Sequence, residues 1–331
     1  MGISISIGIS PREPLRRFAD LTGELERRGV DELWLIDSQL AMKDLYVGLA
    51  LAAAGTERMR LGTGVTNVVT RHPTVTANAI AAIAELSDGR ALLGLGAGDS
   101  AVYGLGAQPS RLAEVEAGLR FFAAVLRGDA GVWDGRSYEL GRPLPPVPVY
   151  LAVSRPRMCR LAGRLADGAI VMGPAQPDVL ARQLGWIEEG IAEAGRDRAD
   201  VRVLFVATLS ARDDRAAALD DVRSWAAAQA RLLADAHELP ASLVPFTDEI
   251  ARAKADYDYT EHLSTRARHQ TTVSDGLVRT LAVAGTVEEC VERLRALVRT
   301  GIDDLIFPLL GGGRLERLSL LTDSIVPALQ A

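Results

Sequence analysis

Polar and glycine-rich residues follow three apolar runs of the sequence, and these residues are the best candidates for chemistry. The run "LWLI" leads into Asp37, and "MRLGTGV" is followed by Thr66 and Asn67. A third run, "ALLGLGAG", leads into Asp99 and Ser100. Carboxylates, hydroxyls and amides at such positions can hydrogen-bond a ligand, and a carboxylate can also relay a proton.

Asp37 and the pair Arg71-His72 each allow a structural as well as a catalytic interpretation. Asp37 is either a ligand acceptor or proton relay, or it caps the next helix or forms an ion pair inside the fold. His72 precedes Pro73, which fits the first position of a helix. A single histidine there serves either catalysis or structure, and Arg71 fits a solvated surface cation. We retain Asp37 and His72 as the catalytic candidates.

The stretch "LLGLGAGDSA" places three glycines, Gly94, Gly96 and Gly98, before the polar pair Asp99-Ser100. Glycines allow a ligand to approach the backbone closely, which suits a phosphate or a flat ring. The segment also matches the dinucleotide pattern G-x-G-x-x-G/A, but the acidic residue that should close a second strand about twenty residues later is missing. The alternative is that the glycines only ease a tight turn from strand to helix.

Composition and motifs argue against several other classes of protein. The chain has 331 residues and a net charge of −6, which disfavours nucleic acid or an anionic membrane as a partner. The four histidines and two cysteines, Cys159 and Cys290, show no metal-binding spacing, so we expect no metal site. Neither a G-x-S-x-G elbow nor a Walker loop occurs. The two cysteines cannot form a disulfide framework, so we expect a cytoplasmic location. No apolar run is long enough to span a bilayer.

Short β-branched runs alternate with longer amphipathic stretches along the whole chain. The predicted strands are Ile3–Ile9, Glu32–Ile36, Met59–Val65, Arg90–Gly94, Val147–Val153, Gly168–Met172, Val201–Leu209 and Asp304–Pro308. The predicted helices are Leu15–Arg28, Asp44–Ala54, Thr74–Leu86, Arg111–Leu126, Arg157–Leu165, Asp178–Ala194, Arg215–Ala236 and Leu315–Leu329. Near-continuous apolar strands are typical of a parallel sheet that is buried on both faces. Eight βα units predict an α/β fold, the (β/α)8 or TIM barrel, with a doubly wound open sheet as the alternative.

The chain shows no linker or shift in composition that would mark a second domain, so we predict a single domain over residues 1–331. Residues 239–285 interrupt the βα rhythm between strands seven and eight and are predicted to form a helical insertion at the barrel mouth. Residues 128–146, rich in glycine and proline, predict a small hairpin. In a TIM barrel the active site lies at the carboxyl ends of the strands, where the polar residues described above occur.

The segment "GTGVTNVVTRHPTVTANAIAAIAELSDGRALLGLGAGDS" carries a dense set of motifs. They are the glycine-rich strand end with Val-Thr-Asn and Arg-His-Pro, the "TA-x-A-I-A" helix, the "DGRA" turn and the "G-x-G-x-GD" strand end. Together they resemble the luciferase-like oxidoreductase superfamily, and within it the branch that uses coenzyme F420, typified by methylenetetrahydromethanopterin reductase. "LADGAIVMGP" and "VAGTVEECVERLRALVRTGIDDLIF" fit the later family pattern, so the resemblance covers nearly the whole chain.

The resemblance implies where the cofactor lies. In this branch the third strand ends in a bulge with a non-prolyl cis peptide, here Gly64–Val65, which presses against one face of the deazaflavin ring. Thr66 and Asn67 then contact the edge of the ring, and Gly173–Gln176 surround the phosphate. The full set of implied cofactor contacts is Asp37, Gly64, Val65, Thr66, Asn67, Gly96, Ala97, Gly98, Asp99, Ser100, Gly173, Pro174, Ala175 and Gln176.

The chemistry that the resemblance implies is hydride transfer between C5 of the deazaflavin and an electrophilic carbon of a small substrate. The first strand, "ISISIGIS", lacks the acidic residue of the archaeal reductases, which favours an imine, enone or ketone over a methylene-pterin. The alternative is an FMN-dependent monooxygenase of the same fold, and a third hypothesis is a non-catalytic relative. Members of the family usually pair through helices near the second and third strands, so we expect a homodimer.

Overall fold

Parallel strands that close on themselves form the centre of the fold in the computed structural model, which describes residues 3–142, 145–236, 238–257, 271–309 and 313–330. The strands within these residues are β1 (Ser6–Ile9), β2 (Glu32–Leu35), β3 (Arg60–Thr63), β4 (Ala91–Leu95), β5 (Gly131–Trp133), β6 (Arg136–Tyr138), β7 (Val149–Val153), β8 (Gly168–Val171), β9 (Arg202–Val206), β10 (Leu209–Ala211), β11 (Val283–Gly285) and β12 (Asp304–Pro308). Eight of them form a closed barrel in the order β1-β12-β9-β8-β7-β4-β3-β2. The predicted TIM barrel is therefore confirmed, and the open sheet is not formed.

Helices follow the barrel strands, as the sequence predicted. They are α1 (Phe18–Arg27), α2 (Leu45–Ala54), α3 (Pro73–Leu86), α4 (Ser100–Tyr103), α5 (Leu112–Val125), α6 (Pro156–Leu165), α7 (Pro177–Glu193), α8 (Arg215–Leu233), α9 (Thr247–Ala255), α10 (Asp275–Leu281), α11 (Val287–Val298), α12 (Arg314–Leu320) and α13 (Val326–Gln330). Short 3-10 turns lie at Leu15–Arg17, Arg198–Asp200 and Ala241–Phe246, and a π-helical turn, Leu321–Ile325, joins α12 to α13. No helix within the described residues is long and apolar enough to cross a membrane.

Local sequence signals explain several of the helix boundaries. The Asp44 carboxylate caps α2 by accepting from the amides of Tyr46 and Val47, 2.9 and 3.0 Å away. Pro73 occupies the first turn of α3, where its missing N–H costs nothing. Thr286 and Glu289 form the capping box of α11. Each cap satisfies backbone N–H groups that have no partner inside the helix.

Contacts divide the chain into two compact units. One comprises residues 4–171 and 183–204 and contains the strands β1 to β4, β7 and β8. Within it the register runs Ser6↔Glu32 and Glu32↔Arg60, so these three residues lie side by side near the amino ends of their strands. Glu32 is buried and accepts from Arg60 at 3.0 Å, Ser6 at 3.2 Å and Arg202. This ionic cluster fills the end of the barrel away from the strand carboxyl ends.

The second unit comprises residues 1–3, 172–182 and 205–331 and contains the helical insertion. Strand β10 pairs in parallel with β11, with Leu209 opposite Val283, so the two ends of the insertion are neighbours. Helices α8, α9 and α10 share one apolar cluster that includes Leu219, Leu243 and Leu277. Helix α8 therefore shares its core with α9 and α10, which lie within the predicted insertion 239–285, and α11 is the helix that leads into β12. Part of the predicted insertion, residues 258–270, lies outside the described residues.

Smaller features agree with the sequence. The predicted hairpin within 128–146 is the antiparallel pair β5–β6, turned by Asp134 and Gly135, which both have positive φ. That conformation is typical of two-residue hairpin turns, and it favours Asp-Gly.

Cys159 and Cys290 are both buried as free thiols. Burial raises the pKa of each to about 12, so both remain protonated and chemically inert.

Candidate active site

A bulge interrupts strand β3 at its carboxyl end. Regular pairing with β4 stops after Gly62↔Leu92, and it resumes at the isolated bridge between Thr66 and Leu95. Across the gap, the Thr63 hydroxyl donates to the Gly94 carbonyl at 2.7 Å and accepts from the Gly94 amide at 2.8 Å. The Gly64–Val65 peptide bond inside the bulge is cis, which confirms that prediction. A side chain thus replaces the backbone ladder at the point where β3 was predicted to continue to Val65.

The Val65 side chain lies against glycines of the next strand. A Cβ atom added at Gly96 would come within 2.9 Å of Val65 Cγ2, and one added at Gly94 within 3.0 Å of Cγ1. The latter would also collide with the Thr63 carbonyl oxygen. Gly94 and Gly96 therefore make room for the bulge, so they are explained without a phosphate-binding loop. Val65 itself is half-buried.

Asp37 forms a buried ion pair with Arg71. Asp37 Oδ2 accepts from Arg71 Nη1 at 2.6 Å, and Oδ1 accepts from Nη2 at 3.3 Å. The Asp37 side chain is 2% exposed and that of Arg71 16%. Thr66 Oγ1 donates to Asp37 Oδ2 at 2.8 Å. The structure thus favours the ion-pair interpretation of Asp37, because the guanidinium contacts both of its carboxylate oxygens and the Thr66 hydroxyl contacts one of them.

Tyr46 lies beneath this ion pair. The Arg71 guanidinium carbon is 5.2 Å from the centroid of the Tyr46 ring, a cation–π contact. Burial, together with the negative charge of Asp37, raises the pKa of Tyr46 to about 12. Burial alone would lower the pKa of Arg71, but the hydrogen bond and charge of Asp37 outweigh it and raise that pKa. The cluster is therefore a fixed pair of charges over a neutral phenol.

The amide of Asn67 and the hydroxyl of Thr66 are partly committed to the protein. Asn67 Oδ1 accepts from the amides of Val69 and Thr70, both at 2.9 Å, and so fixes the loop after the bulge. The Thr66 amide donates to the Gly94 carbonyl at 2.9 Å, and the Thr66 carbonyl accepts from Gly96 at 2.8 Å. For a ligand, these residues retain the Asn67 amide nitrogen and the hydroxyl lone pairs of Thr66.

The segment Gly96, Ala97, Gly98, Asp99 and Ser100 follows β4 and enters the short helix α4. Gly98 has a φ of 97°, a conformation that favours glycine. Ser100 Oγ lies 3.1 Å from Ser38 Oγ, and Ser38 directly follows Asp37 at the end of β2. The Gln39 amide donates to the Ala101 carbonyl. These contacts join the ends of β2 and β4, so Asp37, the bulge and this segment come together at three neighbouring strand ends.

His72 serves a structural purpose in this arrangement. It is the N-cap of α3, its Nδ1 lies 2.7 Å from Thr74 Oγ1, and its ring contacts the Tyr138 ring edge-on at 6.2 Å. The side chain is exposed, and its bonding follows the helix end and not the bulge. The catalytic interpretation of His72 remains a prediction that these contacts do not favour.

Gly173, Pro174, Ala175 and Gln176 lie between β8 and α7. The Ala175 amide donates to the Leu281 carbonyl at 3.3 Å, and the Gln176 side-chain amide donates to the Thr280 carbonyl at 3.0 Å. The Ala175 carbonyl accepts from Arg293 at 3.4 Å. This loop is therefore tied to the end of α10 and the face of α11, and two of its donors already have protein partners.

Three residues of the site were missed or misread in the sequence. Arg71 was interpreted as a solvated cation, yet it is the partner of Asp37. Thr63 fell within the predicted strand Met59–Val65 and Tyr46 within the predicted helix Asp44–Ala54, and neither was assigned a part in the site. A useful signal was available for Arg71: a buried carboxylate at a strand end needs a cation, and Arg71 is the basic residue nearest to the neighbouring strand end.

The fold is a TIM barrel, and the residues described above lie at the carboxyl ends of its strands, where enzymes of this fold carry their active sites. A sequence profile of the family described as luciferase-like monooxygenase matches residues 1–304, and the chain belongs to that family.

Relatives and solved structures agree with this assignment. The chain is 28% identical over 320 residues to a 5,10-methylenetetrahydromethanopterin reductase of Methanolobus tindarius, covering 92% of this chain and 93% of that protein. It is 30% identical over 296 residues to an F420-dependent glucose-6-phosphate dehydrogenase of Beutenbergia cavernae, covering 86% and 82% of the two. The solved coenzyme F420-dependent tetrahydromethanopterin reductase of Methanopyrus kandleri superposes with a TM-score of 0.81 at 21% identity, over 99% of this chain and 100% of that one. At 21% identity, this superposition shows that the two proteins share a fold.

Proposed function

We propose that this protein is a coenzyme F420-dependent oxidoreductase that transfers a hydride between C5 of the deazaflavin and an electrophilic carbon of a small organic substrate. The observation that carries the proposal is the bulge of β3, with Val65 seated on Gly94 and Gly96. Two relatives named F420-dependent glucose-6-phosphate dehydrogenase match 95% and 86% of the chain, and they support F420 as the cofactor.

The residues present at the strand ends fit a flat, partly polar ring. Val65 is half-buried and offers an apolar surface at the mouth of the barrel. Beside it, the Asn67 amide nitrogen and the Thr66 hydroxyl offer polar contacts, and Ser38 and Ser100 add two more hydroxyls. When bound, the deazaflavin supplies two-electron chemistry as a hydride at C5. The protein supplies binding, orientation and exclusion of water.

Asp37 and Arg71 position this surface. The Thr66 hydroxyl is fixed by its 2.8 Å bond to Asp37, and Asp37 is fixed by the guanidinium of Arg71. The ion pair therefore fixes the direction in which the Thr66 hydroxyl donates, and with it the direction of its lone pairs. Preorganised polar groups of this kind lower the cost of binding and of the chemical step. We therefore assign Asp37 to positioning and include it among the cofactor contacts.

The substrate class that we propose is an imine, an enone or a ketone. The segment "ISISIGIS", which contains the first barrel strand, has no acidic residue, in line with the departure from the archaeal reductases. Contacts of Gly173–Gln176 with the cofactor phosphate, a cytoplasmic location and a homodimer are further parts of the proposal.

Cofactor titration tests the proposal directly. We expect purified protein to bind F420 more tightly than FMN, followed by deazaflavin fluorescence. Val65→Ala should weaken F420 binding, because it removes the apolar surface, whereas Val69→Ala, at a neighbouring exposed valine, should not. Binding of FMN alone would favour the monooxygenase alternative. If F420 binds but no reduced cofactor is consumed with any imine, enone or ketone, the non-catalytic hypothesis is favoured.

A further inference from the structure

A cavity lies in the unit that contains α8 to α10. Its volume is about 200 Å³, and its walls come from β10, the end of β12 and the helix α12. The floor is apolar, with Phe307 at 1% and Leu309 at 3% exposure, and Leu209 and Leu320 continue it. Pockets for drug-sized ligands begin at about 300 Å³, so this one suits a single ring or a short branched chain.

The rim of this cavity carries a guanidinium that is oriented but only partly used. Arg212 Nε donates to Asp221 Oδ2 at 2.6 Å, which fixes the plane of the guanidinium. Within the part of the chain that the structure describes, the two Nη groups of Arg212 have no hydrogen-bond partner. Its side chain is 49% exposed, whereas that of Asp221 is 21% exposed. Two N–H donors are therefore held at the edge of an apolar pocket.

Asp221 is occupied by groups of the protein itself. It accepts from Ser210 Oγ at 2.7 Å, and Arg317 Nη2 lies 3.9 Å from its other oxygen. Burial alone would raise the pKa of Asp221, but the hydrogen bonds from Arg212 and Ser210 and the nearby charges outweigh it and lower that pKa. Asp221 is therefore shared between the guanidiniums of Arg212 and Arg317, and the exposed carboxylates of Glu316 and Asp214 also act on Arg212.

We propose that this cavity, whose lining contains none of the proposed cofactor contacts, is a binding site for a small carboxylate with an apolar body. The carboxylate oxygens accept from the Nη groups of Arg212, in the planar geometry that guanidinium and carboxylate share. The apolar body lies on Phe307, Leu309 and Leu320. Asp221 is the positioning residue, because it fixes the guanidinium of Arg212 through Nε and leaves the two Nη groups for the ligand.

The test uses the full chain without added cofactor, so its outcome does not depend on the proposed function. Benzoate is the probe, benzamide is its uncharged counterpart and acetate is the counterpart without an apolar body; binding is followed by calorimetry. We expect saturable binding of benzoate and much weaker binding of both counterparts. Equal binding of benzamide, or no saturation by benzoate in the millimolar range, would overturn the proposal.

Variants locate the probe in the cavity. Arg212→Gln should weaken benzoate binding about tenfold, since it removes a charge-assisted pair of hydrogen bonds. Arg215→Gln is the matched control, because Arg215 is 55% exposed and also pairs with one carboxylate, Glu289, but lies outside the cavity. Leu320→Trp fills the pocket while all charges remain and should abolish binding. If Arg212→Gln and Arg215→Gln behave alike, or if Leu320→Trp binds normally, the site is elsewhere and the proposal is wrong.

Discussion

Removal of Arg71 should destabilise this protein more than removal of any surface arginine. In Arg71→Met the apolar stem that covers the Tyr46 ring is retained, but the Asp37 carboxylate loses both guanidinium contacts, at 2.6 and 3.3 Å. That carboxylate is 2% exposed, so water cannot replace them. Breaking a buried pair on one side costs about 3–5 kcal/mol, and we expect a loss of about 4 kcal/mol in the free energy of unfolding.

The reverse substitution, Asp37→Asn, should cost less. Arg71 is 16% exposed and retains Asp44, 3.4 Å away, so we expect a loss of about 2 kcal/mol. The double variant lacks both charges, so no buried charge remains without a partner, and we expect a loss of about 3 kcal/mol. The two single losses add to about 6 kcal/mol, which leaves a coupling free energy of about 3 kcal/mol.

Urea unfolding of the four proteins measures this cycle. The control is Arg120→Met, because the Arg120–Glu116 pair is solvent-exposed, at 59% and 31%, and should contribute less than about 1 kcal/mol. The reasoning would be refuted if Arg71→Met resembled Arg120→Met, or if the two single losses were additive in the double variant. The variants should also lose F420 binding in the order of their losses in unfolding free energy, since Thr66 is fixed through Asp37.

Further predictions concern the bulge, the acid stability and the assembly. Gly94→Ala should destabilise by more than about 3 kcal/mol in urea unfolding, because its Cβ meets backbone, whereas Gly185→Ala, in open space on α7, should be neutral or stabilising. Burial alone would raise the pKa of Glu26, but three backbone N–H groups outweigh it and hold that pKa below 4.5, so its contribution is present above pH 4.5 and is lost in more acidic solution. Glu26→Gln should therefore flatten the fall in unfolding free energy below pH 4.5, and an unchanged slope would contradict this. Val75→Glu, at a valine of α3 that is 56% exposed, should convert a dimer to a monomer in sedimentation, and a wild-type monomer would refute the homodimer.

Most of the barrel could be predicted from the sequence because each barrel strand is buried on both faces. Runs such as "ELWL" and "DLIFP" are apolar at nearly every position, a pattern that surface strands do not show. Strand ends were harder to predict. Strand β3 was predicted to reach Val65 and stops at Thr63, because a hydroxyl-to-carbonyl bond there substitutes for the ladder. The hydropathy pattern of the sequence does not reveal where a side-chain hydrogen bond replaces a backbone one.

The site was predicted in part, and the reasons differ from residue to residue. The position of the bulge and its cis bond followed from a dense family motif, whose residues lie close together in the chain. The pairing of Asp37 with Arg71 joins residues 34 positions apart, and a single sequence does not reveal such a contact. His72 shows the opposite difficulty, since a histidine before Pro73 satisfies a helix end as readily as it serves a reaction.

The pairing of β10 with β11 has a consequence for how this chain can vary. Leu209 lies opposite Val283, so the segment between β10 and β11 begins and ends at neighbouring positions. What is enclosed, α8 to α10, has its own apolar interior. Evolution or design can therefore change the length of the segment between β10 and β11, or replace it as a unit, without changing the register of the barrel strands.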